Sequence, residues 1–175
     1  AEVRSYNPVM VLGSVQTPAY AATVFGTSED DPLVRDRIAR QREMLADQRR
    51  RWFLVQTEGS LRWQARSPGI MAEQLEYLIE LSRAPNVDLG VIEWRTPVEI
   101  FQNTAFHLYD EAAVVIGTRD GTAIITDHTR LADYRGLFDE LADLASFGDA
   151  GRHTLQRIAD DYRSLFGASS KRPTS

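Results

Sequence analysis

Residues 68–94 read PGIMAEQLEYLIELSRAPNVDLGVIEW, and this stretch decides the fold class. Met71, Leu75, Leu78 and Ser82 fall on one helical stripe, and Ile70, Gln74, Tyr77 and Leu81 fall on the neighbouring one. Pro68-Gly69 precede the helix and Pro85-Asn86 end it, so the spacing predicts a helix over 70–84. Residues 87–94 then read as a compact buried strand, and residues 52–57 as the strand before the helix. Strand, helix, strand in that order is the crossover unit that builds parallel sheets.

Outward from this unit, the N-terminal side is helical. Glu2-Val3-Arg4-Ser5-Tyr6 follows Ala1 without an initiator Met and reads as interior sequence, so the chain is expected to be a fragment or a processed form. Asn7-Pro8 breaks any helix, residues 9–12 are a short apolar run, and Gly13-Ser14 is a bend. Thr17 then caps a helix with Pro18 at its first position, carrying Tyr20, Ala21, Val24 and Phe25 and ending at Gly26. A second helix is predicted over 33–48, with Val34, Ile38, Gln41 and Leu45 inside and Arg35, Arg42 and Arg49 outside. Arg37 and Arg40 lie between these faces. Such a cluster is first of all a solvated face with long stems over apolar surface. The competing readings are an anion- or partner-binding face, or contact with DNA phosphates.

On the C-terminal side, three short strands are predicted over 105–109, 113–117 and 122–126, with Asp110-Glu111 and Asp120-Gly121 as hairpin turns. Asp127 caps a helix that reaches residue 146 on the stripe Leu131, Tyr134, Leu137, Phe138, Leu141, Leu144 and Ala145, and Gly148 is expected to stop it. A last helix over 150–166 presents Leu155, Ile158, Ala159, Tyr162 and Leu165. The expected fold class is therefore α/β: a small mixed sheet with a strand–helix–strand crossover, flanked by two N-terminal and two C-terminal helices. Residues 1–166 are expected to form one domain, with a disordered polar tail over 167–175.

The chain of 175 residues is long enough for one core. Cysteine is absent, which removes disulfides, iron–sulfur clusters and thiolate chemistry and suits a cytoplasmic setting. No signal peptide or bilayer-length apolar run is visible. The net charge of −5 is uneven: residues 34–66 carry nine Arg and four acids, whereas residues 67–175 carry ten basic and seventeen acidic residues. An acidic body argues against broad nucleic-acid binding by this chain itself.

No motif for catalysis stands out. His107, His128 and His153 lack metal-pair spacing, and GxSxG, Walker-type and GxGxxG patterns are absent, so no metal or cofactor is expected. Glu58 and Glu93 close the two strands of the crossover, where open sheets bind ligands beyond the carboxyl ends of parallel strands, and Trp94 stands beside them. The plainer reading pairs each carboxylate with an Arg such as Arg62 or Arg95. As ligand contacts, Glu58 and Glu93 should tolerate alanine without loss of folding while the ligand response changes.

The run Val11-Leu12-Gly13-Ser14-Val15-Gln16-Thr17-Pro18-Ala19-Tyr20-Ala21 resembles the Pro-Gly-Leu-Leu-Gln-Thr-x-x-Tyr-Ala motif of a large actinobacterial family. In that family an XRE-type helix-turn-helix precedes a C-terminal domain of poorly known function. Arg4-Ser5-Tyr6 resembles the family's lead-in, Arg37, Arg40-Gln41 and Leu45 its Arg-x-x-Arg-Gln-x-x-x-Leu helix, and Glu58 with Leu61-Arg62 its Glu-x-x-Leu-Arg element. Met71, Gln74-Leu75, Leu78, Pro85-Asn86-Val87 and Phe106 extend the likeness. The chain departs from the pattern at Leu12-Gly13-Ser14-Val15, at Glu93 in place of a Pro, at Thr104-Ala105 in place of Gly-Pro, and near Gly117-Thr118 in place of a Glu.

The resemblance implies a non-catalytic C-terminal domain of a transcription regulator that senses a ligand, binds a partner or dimerises. DNA would be reached only through an N-terminal domain missing from this chain. The expected partners are a second copy in a homodimer, a small protein encoded nearby, and a small-molecule effector, with no membrane. Candidate ligand contacts are Gln16, Arg37, Arg40, Glu58, Glu93 and Trp94. The alternative is an active or degenerate enzyme-like α/β domain, with a small polar or phosphorylated ligand held by Arg37, Arg40 and Glu58.

Overall fold

The crossover forms as its sequence predicts. In the computed structural model, which describes residues 1–118 and 120–169, β2 (Arg51–Thr57) leads through α3 (Glu58–Arg62) and α4 (Pro68–Leu81) into β3 (Val87–Ile92). β2 and β3 pair in parallel with Leu54 opposite Leu89. The Ser67 side chain caps α4 and Pro68 takes its first turn. Met71, Leu75 and Leu78 are fully buried, each contributing about 1.5–3 kcal/mol of apolar burial. The helix ends at Leu81, three residues before its expected end, as the bonds tighten to three-residue turns, with the Arg83 N–H on the Glu80 carbonyl and the Ala84 N–H on the Leu81 carbonyl.

β1 (Glu2–Asn7) was not legible as a strand, yet it is central. The sheet order is β3-β2-β1-β4-β5-β6, with β4 (Phe106–Tyr109), β5 (Ala113–Thr118) and β6 (Gly121–Ile125) completing it. β1 runs parallel to β2 and antiparallel to β4, so it joins a parallel half to an antiparallel half. β5 and β6 pair antiparallel, with Thr118 opposite Gly121 and Val114 opposite Ile125, and Arg119 lies outside the described residues. Among the described residues the fold is thus a six-stranded mixed sheet with six helices.

Strand alternation sends Val3, Trp52, Leu54, Leu89 and Val91 to one face. They pack there with α4, with Tyr20 of α1 (Pro18–Phe25) and with Leu155 and Ile158 of α6 (Gly148–Ser169). Tyr6, Val55, Ile92, Phe106, Leu108 and Val114 face the other way, onto Leu131, Phe138 and Leu141 of α5 (His128–Asp143). The apolar stripes of both terminal helices are therefore spent largely inside the fold, with Leu165 near the end of α6 left 45% exposed. Gly148 does not end α5, which stops at Asp143; with φ +58° it opens α6, after Ser146 has bridged to Val91. α6 continues to Ser169, past its expected end, and the remainder of the expected tail, 170–175, lies outside the described residues.

α2 (Pro32–Ala46) follows α1 after Gly26 takes the left-handed conformation at φ +69°. Val34 and Ile38 pack on Ala21 and Ala22 of α1 in a small core of their own. On the first face the helices cover β3, β2 and β1. Beyond β1 the cover thins: His107, Tyr109 and Val115 are half-buried, and Ile124 is 67% exposed.

Candidate functional site

Where the helical cover gives out, a cavity of about 300 Å³ opens between α2 and the sheet. Its floor is Ser5 on β1, Trp52 on β2 and His107 and Tyr109 on β4; its wall is Arg37, Arg40, Gln41 and Met44 of α2 with Gly13 and Ser14 of a short 3-10 turn. Register explains the floor, since Ser5 sits directly opposite His107 and Val3 opposite Tyr109.

The turn is held by buried glutamines. Gln56 Oε1 accepts the Leu12 N–H at 2.6 Å, and Gln74 accepts the Thr17 N–H and donates to the Val15 carbonyl, both at 2.8 Å. Gln16 donates to the Val11 carbonyl and accepts from Arg37, also both at 2.8 Å. Arg37 stacks over Phe25 at 4.2 Å from the ring centroid. Burial and the neighbouring Arg40 charge lower the Arg37 pKa. Among the described residues neither Arg37 nor Arg40 makes an ion pair, although the chain carries net negative charge.

The walls also hold polar atoms without partners. Among the described residues, the buried side-chain polar atoms lacking a hydrogen bond are Ser14 Oγ, Gln41 Oε1, Trp52 Nε1 and Arg50 Nε. The first three belong to lining residues, and the Arg50 guanidinium lies 6.0 Å from the Trp52 ring centroid. Unpartnered buried polar groups are rare because each costs roughly 1–3 kcal/mol, so three of them on residues around one cavity single it out as a candidate site. His107 Nδ1 lies 2.9 Å from Ser5 Oγ, and burial lowers the imidazole pKa below 6.5.

The six candidate residues separate into two groups. Gln16, Arg37 and Arg40 gather at or behind this cavity, with Gln16 orienting Arg37. Glu58, Glu93 and Trp94 gather elsewhere, around α6. Glu58 is buried, and its Oε1 accepts from Arg62 at 2.7 Å and Arg157 at 3.1 Å while Oε2 accepts the Trp94 N–H at 3.1 Å. Burial acts to raise its pKa, but the hydrogen bonds from Arg157, Arg62 and the Trp94 N–H outweigh it and hold the carboxyl below 4.5. Glu93 accepts from Thr154 Oγ1 at 2.5 Å and lies 3.7 Å from Arg157. The partners are thus Arg62 and Arg157, not Arg95, and Glu58 is a pin between elements rather than a side chain whose removal folding would ignore.

Beyond the ends of the parallel strands there is a cavity of about 380 Å³, but its lining is mostly apolar: Tyr6, Ile92, Ile100, Phe101, Leu141 and Leu144 contribute, and Glu58, Glu93 and Trp94 do not. Trp94 is 66% exposed under the Arg62 guanidinium, in an open cleft with Asp161 and Tyr162. Ser5, Ser14, Gln41, Trp52 and His107 were missed as site residues. Periodicity places Gln41, Trp52 and His107 on a face, but no local signal tells whether a polar atom there finds a partner, and Ser5 and Ser14 fall outside the periodic runs.

Fold and cavity together define a mixed α/β domain whose sheet is incompletely covered on one face, with a cationic, polar cavity at the boundary. The chain belongs to the family described as domain of unknown function (DUF5753), which matches residues 1–157. No match was found among curated proteins. Among solved structures the chain is similar to TrmBL2, an archaeal chromatin protein whose structure shows a novel mode of DNA binding, at 15% identity and a TM-score of 0.43. The likeness covers 84% of this chain and 44% of that one, so the chain spans less than half the length of that solved protein.

Proposed function

We propose that this domain is a non-catalytic effector-binding module, the sensing part of a helix-turn-helix transcription regulator, and that its effector occupies the cavity between α2 and the sheet. The observation that carries this is the gathering of Ser14 Oγ, Gln41 Oε1 and Trp52 Nε1, all buried and unpartnered, in the walls of one cavity. A bound molecule would bridge α2 to β1, β2 and β4, so occupancy would couple the helical layer to the sheet. DNA contact falls to a helix-turn-helix segment outside these residues. Self-association, in this reading, uses a surface other than the apolar stripes of α5 and α6, which are spent largely within the fold.

An enzyme-like reading has one observation in its favour, the Ser5–His107 contact at 2.9 Å. It is weaker because, among the described residues, no further side chain hydrogen-bonds the imidazole and no carboxylate lines the cavity. Among the described residues no group of His, Cys, Asp and Glu is placed to hold a metal ion.

The test is a thermal-shift screen with neutral, cationic and anionic metabolites, repeated on Ser14→Ala and Trp52→Phe. An effector at a hundred times its Kd raises stability by about 2.7 kcal/mol. A shift that vanishes in the two variants supports the reading; an unchanged shift in both, or no shift with any compound, overturns it.

A further inference from the structure

We infer that the occupant of this cavity is a small organic anion. This assignment rests on the effector-binding reading and adds the chemistry of the ligand. Charge comes first. Arg37 and Arg40 line the cavity, no Asp or Glu does, and among the described residues neither Arg is neutralised by an ion pair. Arg37 spends one N–H on Gln16, and Arg40 makes only a long contact of 3.4 Å to the Asp36 carbonyl. Most of the ten N–H donors on the two guanidiniums are thus left for an anionic oxygen group, carboxylate or phosphate, which arginine recognises through paired hydrogen bonds.

The unpartnered atoms define the rest. Trp52 Nε1 can only donate, so it asks for an acceptor. Gln41 meets Tyr77 Oη at 3.0 Å through one end of its amide, and because a hydroxyl serves as donor or acceptor, the other end can donate to an anion as well as accept. The volume of about 300 Å³ lies at the small end of ligand sites, which run from about 300 to 1,000 Å³.

The experiment measures binding by calorimetry and thermal shift on the full chain with two probe sets. Mandelate carries a carboxylate, and mandelamide lacks the charge. Glycerol 3-phosphate and glycerol make the phosphate arm. The expected result is that mandelate or glycerol 3-phosphate binds at least about tenfold more tightly than its uncharged counterpart. Arg40→Gln should reduce the preference for charge, with Arg37 supplying what remains, and leave the Tm of the free protein unchanged. The arm that responds separates a carboxylate from a phosphate. Equal binding of the uncharged probes, a charge preference undiminished in Arg40→Gln, or no binding by any anion overturns the assignment. A neutral or cationic metabolite whose stabilisation is lost in Ser14→Ala would overturn the anion and leave effector binding standing. No stabilisation by any metabolite would remove both.

Discussion

Glu58 Oε2 accepts the backbone N–H of Trp94 at 3.1 Å, so the carboxylate that follows β2 holds the chain as it leaves β3. Its other oxygen takes Arg62 from α3 and Arg157 from α6. One buried side chain therefore joins two strand ends to two helices. Glu58→Ala leaves Arg62 with Asp161 at 2.8 Å and Arg157 with Glu93 at 3.7 Å, so it should cost less than the roughly 3–5 kcal/mol of a buried charge left wholly unpaired. Glu58→Gln keeps an acceptor for Trp94 and should cost less. Urea unfolding of both variants checks this; a Glu58→Ala protein as stable as the parent would show that the pin carries no weight.

Acid titration separates two groups by pH window, since both lose stability as pH falls. Glu58 has a folded pKa below 4.5, so its contribution is fully present above 4.5 and is lost as pH falls through the lower folded value. His107 is a base whose folded pKa lies below 6.5, so the unfolded chain takes up its proton first as pH falls. Its contribution is fully present above 6.5 and declines below it. Unfolding free energies measured from pH 7.5 to 5.5 should fall less steeply in His107→Gln than in the parent. Parallel slopes would mean that His107 is as well solvated in the folded state as in the unfolded one.

The parts of the fold that were legible in sequence are those whose pattern is local. The α4 stripe, the Thr17 and Asp127 caps and the β-rich runs around Leu54 and Leu89 each declare themselves within about ten residues. β1 did not, because its buried face alternates Val3 with Ser5 and its other face carries Arg4, which is kept inside by Asp139 and the Phe53 and Phe138 rings. α3 is five residues of Glu-Gly-Ser-Leu-Arg, too short for a period to show. The cavity was illegible for a stronger reason. Ser5, Ser14, Arg37, Trp52 and His107 meet only through strand register and helix placement, which no local window contains.

Gly90 faces α5's side of the sheet, and a Cβ there would lie 2.5 Å from the Phe147 ring. Phe147 packs at the edge of the second core, so the ring cannot swing away without uncovering apolar surface. Gly90→Ala should destabilise by about 1–3 kcal/mol through overpacking. Phe147→Leu in the same chain should recover part of that loss, so the double variant is more stable than the sum of the single effects. Strict additivity in a urea-melt cycle would place the strain elsewhere.

Gln74 lies in the middle of α4, fully buried, and its amide serves the Thr17 N–H and the Val15 carbonyl rather than its own helix. It fixes the entry to α1 and, with Gln16 and Gln56, the turn that carries Ser14 into the cavity wall. Gln74→Leu keeps the volume and the apolar stripe but strands two buried backbone groups, at about 1–3 kcal/mol each. The local effect should exceed the global one. Hydrogen exchange at the Thr17 amide should accelerate beyond what the lowered global stability explains, and any effector that binds through Ser14 should bind more weakly. If Thr17 exchange tracks global unfolding alone, the turn is held by Gln16 and Gln56 without Gln74, and effector affinity should then be unaffected.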